Sequence, residues 1–303
     1  MAVNASGAPG GASSSGAFAP ATPTLQLKNI SKAFGTVQAL QGVDFEVHAG
    51  EVVGLVGDNG AGKSTLIKIM AGVYVPDTGE IDVDGRRVTI SSPQDATRVG
   101  IETVYQDLAL CDNLDVVANL FLGREEYTTL IPFVVRPMNE VDMERRAREV
   151  LTQLEVKIPS LRTPVAALSG GQRQSIAVAK TILRNAKVVL LDEPTAALGV
   201  AQTRQVLNLI QRLRSQGLAV VVISHNLADV FEVVDRVIVM RLGQRVATFD
   251  VRNTTSEQVV SAITGAEFGM GMGGQHNGGN GGNGGAVARE QSPAQATATP
   301  PAE

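Results

Sequence analysis

The feature that most constrains the fold is a glycine-rich segment between an apolar run and a helical pattern. Residues 57–65 read Gly-Asp-Asn-Gly-Ala-Gly-Lys-Ser-Thr, which fits the phosphate-loop pattern G-x-x-x-x-G-K-[ST]. Residues 52–56 are apolar enough for a buried strand, and residues 66–71 have the composition of a helix. A strand, a glycine loop and a helix in this order predict an α/β fold that binds a nucleotide.

Each residue type in this loop has a predicted task. Glycines allow backbone N–H groups to turn inward around an anion, and the following helix adds the positive end of its dipole. Lys63 supplies a charge for the β- and γ-phosphates, and Ser64 supplies a hydroxyl ligand for Mg²⁺. We predict that the whole loop contacts the nucleotide, namely Gly57, Asp58, Asn59, Gly60, Ala61, Gly62, Lys63, Ser64 and Thr65.

Two acidic residues, Asp192 and Glu193, close a second apolar run at residues 188–191. Ligands of open α/β sheets bind at the carboxyl edge, where such strands end. We therefore expect Asp192 to hold the metal and Glu193 to be the general base for a water that attacks the γ-phosphate. The alternative is that Glu193 only caps a helix at Pro194, since acidic residues are common at helix starts.

Polar residues end two further apolar runs. His225 follows residues 219–223, and Gln106 follows residues 101–104. Taken alone, a histidine in such a place is as often a structural residue as a functional one, and a glutamine is usually an ordinary surface residue. Because their strands would end at the same edge as the phosphate loop, we predict that both residues belong to the active site.

A second glycine motif completes the set. Residues 168–174 read Leu-Ser-Gly-Gly-Gln-Arg-Gln, and a helical pattern spans residues 172–183. The phosphate loop, this segment, Asp192-Glu193 and His225 follow one another along the chain. In this order they resemble the ATP-binding subunit of an ABC transporter. The likeness covers about residues 25–265.

Within that superfamily the chain is most similar to the ATPases of bacterial monosaccharide importers, of the ribose, xylose and fructose type. Three segments carry this narrower likeness: GIETVYQDL at 100–108, ANLFLGRE at 118–125 and DEPTAAL at 192–198. The resemblance implies ATP hydrolysis in a homodimer, or in a dimer with a homologous ATPase subunit. It also implies a peripheral location on the cytoplasmic face of the cell membrane.

The partners implied by the resemblance are transmembrane permease subunits and, indirectly, a solute-binding protein. The family's permease contacts correspond to residues 107 to about 135. Two other functions stay open: a soluble ABC ATPase that acts on a macromolecule, and an importer of a non-sugar solute. A non-hydrolysing regulatory subunit would be expected to have lost Glu193 or Lys63, and both are present.

The resemblance also implies roles for individual residues. Phe34 corresponds to the aromatic residue that stacks on adenine, although a core position at the end of the first strand is the alternative. Gln106 would sense the γ-phosphate and Mg²⁺, and His225 would bind the γ-phosphate. Four residues would contact the ATP held by the other subunit: Ser169, Gly170, Gly171 and Gln172. The chain departs from the family at Gly199, where an aspartate usually reaches across the dimer.

Composition separates one folded domain at 25–265 from two tails. Residues 1–24 carry no charged side chain, and residues 266–303 are rich in Gly, Asn and Pro, so we expect both to be disordered. A formal net charge of −4 favours neither nucleic acid nor a lipid surface as a partner. The lone Cys111 rules out a disulfide framework. No run approaches the ~18 apolar residues of a membrane span.

The predicted fold class is α/β, with a mixed sheet core, an antiparallel β flank and an inserted helical subdomain at about 107–183. The antiparallel strands are expected near residues 25–30, 43–47 and 81–83, and the buried parallel strands at 52–56, 188–191 and 219–223. An amphipathic segment, residues 143–151, places Val150, Leu151 and Leu154 on its inner side.

Overall fold

The computed structural model describes residues 22–128 and 137–266, and the strands of these residues form two sheets. A mixed six-stranded sheet has the order β10-β9-β3-β8-β7-β6, and a four-stranded antiparallel sheet has the order β2-β1-β4-β5. The strands are β1 Leu25–Phe34, β2 Val37–Val47, β3 Val52–Val56, β4 Thr78–Val83, β5 Arg86–Val88, β6 Ile101–Val104, β7 Val188–Asp192, β8 Ala219–Ile223, β9 Arg236–Arg241 and β10 Gln244–Asp250.

The helices are α1 Lys63–Met70, α2 Pro93–Arg98, α3 Val116–Phe121, α4 Glu140–Gln153, α5 Gly170–Leu183, α6 Val200–Ser215, α7 Leu227–Val233 and α8 Ser256–Thr264. Short 3₁₀ turns lie at Val165–Ala167 and Val251–Asn253. Both the predicted fold class and the predicted directions of the strands are confirmed, because β3, β6, β7 and β8 run parallel while β1, β2 and β4 pair antiparallel.

The six-stranded sheet is buried on both faces, which explains why its central strands are continuous apolar runs. In β3, Val53 and Leu55 pack into one core while Val52 and Val56 pack into the other, since successive side chains point to opposite faces. The first core also contains the apolar residues of α1 and of the antiparallel sheet. The second contains those of helices α3 to α8.

The contacts of the folded domain begin slightly earlier than the composition suggests, although β1 itself starts at Leu25. Thr24, which we placed in the N-terminal tail, is buried, and its N–H donates to the Val47 carbonyl at 2.9 Å. The Thr24 carbonyl in turn accepts from the Asp84 N–H at 3.0 Å. Ordered contacts therefore start one residue before the predicted boundary.

The chain between β6 and β7 contributes helices α3, α4 and α5 and, in its described part, no strand of either sheet. The predicted inner side of α4 is confirmed, because Val150 and Leu151 are buried and Leu154, which follows the helix, is fully buried. Residues 129–136, which include the end of the predicted permease-contacting segment, lie outside the described residues. Of the helices in the described ranges, none has both the length and the apolar character needed to cross a membrane.

Candidate active site

The phosphate loop connects the end of β3 to the start of α1, and two of its glycines have no room for a side chain. Gly57 has φ +146°, and a Cβ there would lie 2.1 Å from the Met240 carbonyl oxygen of β9. Gly62, the N-cap of α1, has φ +102°, and its Cβ would lie 2.8 Å from the Ala39 carbonyl oxygen. Glycine is required because only it combines this backbone geometry with such close packing.

The rest of the loop is open to a ligand. Asp58, Asn59 and Gly60 are exposed, whereas Ala61 is buried and donates its N–H to the Asp58 carbonyl at 3.1 Å. In the first turn of α1, Ser64 is exposed and Thr65 is partly buried. The exposed N-terminal turn of a helix offers backbone donors and a positive dipole end, which is the arrangement that binds a phosphate.

Lys63 folds back over the loop. Its Nζ donates to the Gly57 carbonyl at 2.6 Å and to the Asp58 carbonyl at 2.9 Å. Partial burial lowers the pKa of Lys63 below its usual value, although the charges of Glu193, Asp58 and Asp192 act in the opposite direction. A partly desolvated ammonium held above an anion cradle gains strongly from a phosphate, because the low local dielectric strengthens the attraction.

Asp192 ends β7 and is partly buried close to the loop. Burial raises the pKa of its carboxyl above the usual range, and the neighbouring Glu193 adds to the rise, while Lys68 and Lys63 oppose it. Because β7 and β3 both pair in parallel with β8, Asp192 and the phosphate loop lie at the same edge of the sheet. A carboxylate that is destabilised by burial is stabilised again when a cation binds next to it.

Glu193 follows directly and has a left-handed backbone, with φ +50°. Its N–H donates to the Ile223 carbonyl at 2.9 Å, which ties the end of β7 to the end of β8. The chain then turns, and α6 begins only at Val200, so the alternative that Glu193 caps a helix at Pro194 is wrong. A non-glycine residue keeps this conformation only where surrounding contacts impose it, and the bond to Ile223 is such a contact.

The side chains of Glu193 and His225 meet. The distance from Glu193 Oε2 to His225 Nδ1 is 2.8 Å, and the Glu193 side chain is only 19% exposed. The geometry is not that of a hydrogen bond, and within the described parts of the chain Glu193 Oε2 accepts none. The His225 side chain is 77% exposed, so a buried structural histidine is excluded. Glu193 therefore presents a buried oxygen that can accept a proton from a ligand or a water.

Gln106 lies at the same edge of the sheet. It follows β6, the strand that pairs with β7, and it is exposed, which both a ligand-binding and an ordinary surface glutamine would be. The parallel pairing of β6, β7, β8 and β3 thus gathers the four strand ends that carry Gln106, Asp192, His225 and the phosphate loop. This is the edge where open α/β sheets bind ligands.

The donor set fits Mg²⁺ that is held jointly with a nucleotide. Residues 22–128 and 137–266 contain no group of three or more His, Cys, Asp or Glu side chains placed to enclose a metal. Mg²⁺ is commonly held by one or two carboxylates together with substrate phosphates rather than by a protein cage. Asp192 and the exposed Ser64 supply that smaller set, and Gln106 follows β6, the strand next to the one that ends in Asp192.

Phe34 ends β1 and is 42% exposed, so the alternative of a core position is wrong. Its ring lies 5.1 Å from the ring of Tyr74, with an interplanar angle of 66°. The Nζ of Lys32 lies 5.6 Å from the centre of the Phe34 ring. An exposed aromatic ring at the end of a strand can act as a stacking platform for a base.

The Ser-Gly-Gly-Gln segment starts α5 two residues earlier than predicted. Ser169 is the N-cap: its Oγ accepts from the Gln172 N–H at 3.3 Å, and Gln172 Oε1 accepts from the Ser169 N–H at 3.0 Å. This capping box satisfies helix donors that would otherwise lack partners. The Gln172 amide also donates to the Lys157 carbonyl at 3.0 Å, so this side chain is held in place.

The two glycines of this segment have a packing role that the sequence did not indicate. A Cβ at Gly170 would lie 2.8 Å from Leu198 Cδ2, and one at Gly171 would lie 2.9 Å from Gln205 Oε1. A Cβ at Gly171 would also lie 3.4 Å from the Cα of Gln202, so glycine at this position lets α5 approach the backbone of α6 closely. Contact with a nucleotide on another subunit involves a second chain and stays a prediction.

Gly199 is the N-cap of α6, with φ −75°, and a Cβ there would meet no atom of the described residues within 4 Å. An aspartate would therefore fit without strain, and the absence of a side chain here is not required by packing.

Sequence reasoning missed one contact of the site. The Oγ1 of Thr195 donates to Asp229 Oδ2 at 2.8 Å. This bond ties the turn after Glu193 to α7, which begins two residues after His225. One indication of this contact was present in the sequence: Thr195 and Asp229 lie a few positions after the predicted site residues Glu193 and His225.

Comparison with known proteins agrees with this geometry. Residues 40–196 match the family model described as ABC transporter. The chain is 42% identical over 245 residues to the xylose/arabinose import ATP-binding protein of Sulfolobus acidocaldarius, which covers 81% of this chain and 95% of that protein. It is 43% identical over 247 residues to the fructose import ATP-binding protein of Rhizobium meliloti, with 81% and 95% covered.

Two solved structures have the same fold. A nucleotide-free ATP-binding cassette from an ABC transporter superposes with a TM-score of 0.69 at 25% identity, over 84% of this chain and all of that one (100%). A dimeric ATP-binding cassette in a post-hydrolysis state, bound to ADP and Pi, superposes with a TM-score of 0.61 at 26% identity, over 76% of this chain and 100% of that one.

Proposed function

Because this chain belongs to the ABC transporter family, whose ATP-binding proteins are transport ATPases, we propose that it is the ATP-hydrolysing subunit of a sugar importer. The observation that carries the chemistry is the close approach of the partly buried Glu193 carboxylate to His225, with 2.8 Å between Oε2 and Nδ1, at the sheet edge that also holds the phosphate loop. Sugar as the cargo rests on the names of two relatives that match most of this chain.

The reaction transfers the γ-phosphoryl group of ATP to water. The loop backbone and Lys63 bind the β- and γ-phosphates, and Lys63 exchanges its two carbonyl contacts for phosphate oxygens. Glu193 accepts the proton of the attacking water, while His225 and Gln106 contact the γ-phosphate side of the site. Mg²⁺, when bound at Asp192 and Ser64, supplies positive charge that neutralises the phosphate oxygens.

The functional unit is a dimer with this chain or a homologous ATPase subunit as the partner. The chain contains one phosphate loop and one Ser-Gly-Gly-Gln segment. Ser169, Gly170, Gly171 and Gln172 of each subunit complete the site of the other, with the dipole of α5 aimed at the γ-phosphate. A similar cassette has been solved as a dimer with ADP and Pi, which supports this arrangement.

The movement of the dimer is transmitted to transmembrane permease subunits at the cytoplasmic face of the membrane, and a solute-binding protein delivers the sugar. The segment that starts at Asp107 is the proposed contact with the permease.

This chain does not touch the sugar, so co-purification of the permease and the binding protein, followed by sugar titration of the latter, identifies the cargo. A non-sugar ligand there would contradict sugar import and leave the ATPase proposal standing.

Mixing two inactive variants tests the shared site. Lys63→Ala damages the phosphate loop, and Ser169→Arg places a bulky side chain against the γ-phosphate held by the partner. Each homodimer then has two damaged sites. In a mixed dimer, one site receives both lesions and the other receives none, so mixing should restore ATPase activity.

The mixing experiment needs two controls. Mass spectrometry of the intact complex reports whether the mixed dimer forms. The second control is a mixture of Lys63→Ala with Lys63→Met, in which every site keeps a damaged phosphate loop, so it should stay inactive. If mixed dimers form and hydrolyse no ATP, the result contradicts a shared site that can work while the other site of the dimer is damaged.

A further inference from the structure

We propose that Tyr74 is a positioning residue of the nucleotide site, which holds the Phe34 ring in the orientation that stacks on the adenine base. The inference rests on the proposed function, because it deepens the base-binding role of Phe34. Tyr74 lies in neither of the two glycine motifs nor at the end of any strand of the six-stranded sheet. Its role follows from its contacts alone.

The phosphate-loop helix itself delivers Tyr74 to the base side of the site. After α1 ends at Met70, Gly72 turns the chain with φ +72°, and a Cβ there would lie 2.3 Å from the Ser92 carbonyl oxygen. The N–H of Tyr74 then donates to the Lys68 carbonyl at 3.1 Å. The same helix thus presents the phosphate cradle at its start and an aromatic ring just after its end.

The two aromatic rings make an edge-to-face contact. Their centroids are 5.1 Å apart, and their planes meet at 66°. Tyr74 is partly buried and packs against the core between α1 and the antiparallel sheet, whereas Phe34 is 42% exposed. The better-packed ring is therefore the fixed partner, and it limits the rotation of the exposed one.

A lysine ammonium lies near each of the two rings. Asp77 Oδ1 accepts from Lys32 Nζ at 2.7 Å, and Asp77 Oδ2 accepts from the Ala33 N–H at 2.7 Å. This pair fixes the backbone next to Phe34 and places the Lys32 ammonium 5.6 Å from the Phe34 ring centre. On the other side, the Nζ of Lys68 lies 5.5 Å from the ring centre of Tyr74.

A preoriented ring improves binding because it has less rotational freedom to lose when the base stacks on it. The effect acts on the base and not on the phosphates, which contact the loop at the other end of α1. The stabilisation that one edge-to-face aromatic pair provides corresponds to a change of about 2- to 10-fold in the affinity for ATP. Loss of the Tyr74 ring should therefore weaken the binding of a ligand that carries a base and spare a ligand that carries only phosphates.

The test compares the wild type with Tyr74→Leu, which removes the ring and keeps an apolar side chain, and with Tyr74→Phe, which keeps the ring. Titration calorimetry measures the affinities for ATP and for inorganic tripolyphosphate, both with Mg²⁺. Tyr74→Leu should weaken ATP binding by about 2- to 10-fold and leave tripolyphosphate binding unchanged. Tyr74→Phe should match the wild type. Phe249→Leu is the matched control, since Phe249 is also a partly buried aromatic residue and lies in β10, outside the motifs.

The ATPase assay adds a second readout, in which KM for ATP rises in Tyr74→Leu while kcat stays unchanged. If Tyr74→Leu fails to fold, Tyr74→Met takes its place as a longer non-aromatic side chain. Unchanged ATP affinity, or equal losses for ATP and tripolyphosphate, overturns the inference and leaves the proposed function intact. A wild type that binds neither ligand overturns the proposed function and the inference with it.

Discussion

Replacing Glu193 by Gln separates the chemical step from nucleotide binding. The two side chains have the same shape, but the amide cannot accept a proton from water. The carboxylate is only 19% exposed, and its Oε2 accepts no hydrogen bond from the described residues, so it is well placed to take that proton. A general base contributes about 10²- to 10⁴-fold in rate, which corresponds to about 3–5 kcal/mol of barrier. We expect kcat to fall by that factor.

The same substitution should leave ATP affinity and folding stability intact. The phosphates are held by the loop and Lys63, and the proposed metal carboxylate is Asp192, so neither loses a contact. A neutral amide is also easier to bury than a carboxylate without a donor. We therefore expect a melting temperature equal to or above that of the wild type, and an ATP-bound dimer that accumulates because hydrolysis is blocked.

Four measurements on the purified protein check these expectations: phosphate release for kcat, calorimetric titration with ATP and Mg²⁺ for affinity, a thermal melt for stability, and size-exclusion chromatography with ATP for the dimer. Glu232→Gln is the control, because that carboxylate forms a surface ion pair with Arg204 and such pairs contribute little. Near wild-type hydrolysis by Glu193→Gln would refute its role as the base. A large loss of ATP affinity would mean instead that this carboxylate helps to hold the metal.

Further predictions concern binding and stability. Lys63→Ala should weaken ATP binding measured by titration, because it removes the charge on the β- and γ-phosphates, and an unchanged affinity would contradict that role. Gly60→Ala should cost about 1–2 kcal/mol in the free energy of unfolding, since only the left-handed backbone opposes it. Gly57→Ala should cost clearly more, since its Cβ would lie 2.1 Å from the Met240 carbonyl oxygen; equal denaturation midpoints for the two would refute the clash. Burial, and next the charge of a nearby arginine, lower the pKa of Lys180, so the unfolded chain binds more protons just below pH 10.5 and stability should rise with pH there. Because the pKa of Lys63 is lowered as well, Lys180→Met should show a smaller rise, not none, in thermal melts at successive pH values, and an identical pH profile would contradict it.

The amino-acid sequence by itself determined the class of the fold and most of the candidate site. Local patterns were sufficient, because a phosphate loop requires its strand and helix, and because apolar runs mark strands buried on both faces. The polar residues after those runs could be assigned to one edge, since parallel strands end together. Asp192, Glu193, His225 and Gln106 were therefore predicted as a group without any knowledge of long-range contacts.

Tertiary structure decided what depends on residues far apart in the sequence. It showed that Phe34 is exposed and meets Tyr74, a pairing between the end of β1 and the turn after α1 that no local pattern specifies. It also showed that Gly57 is glycine because β9 passes 2.1 Å from its missing Cβ, and that Gly170 and Gly171 pack against α6. Close packing is a property of surfaces that meet only after the chain has folded, so its demands on single residues cannot be derived from periodicity or composition.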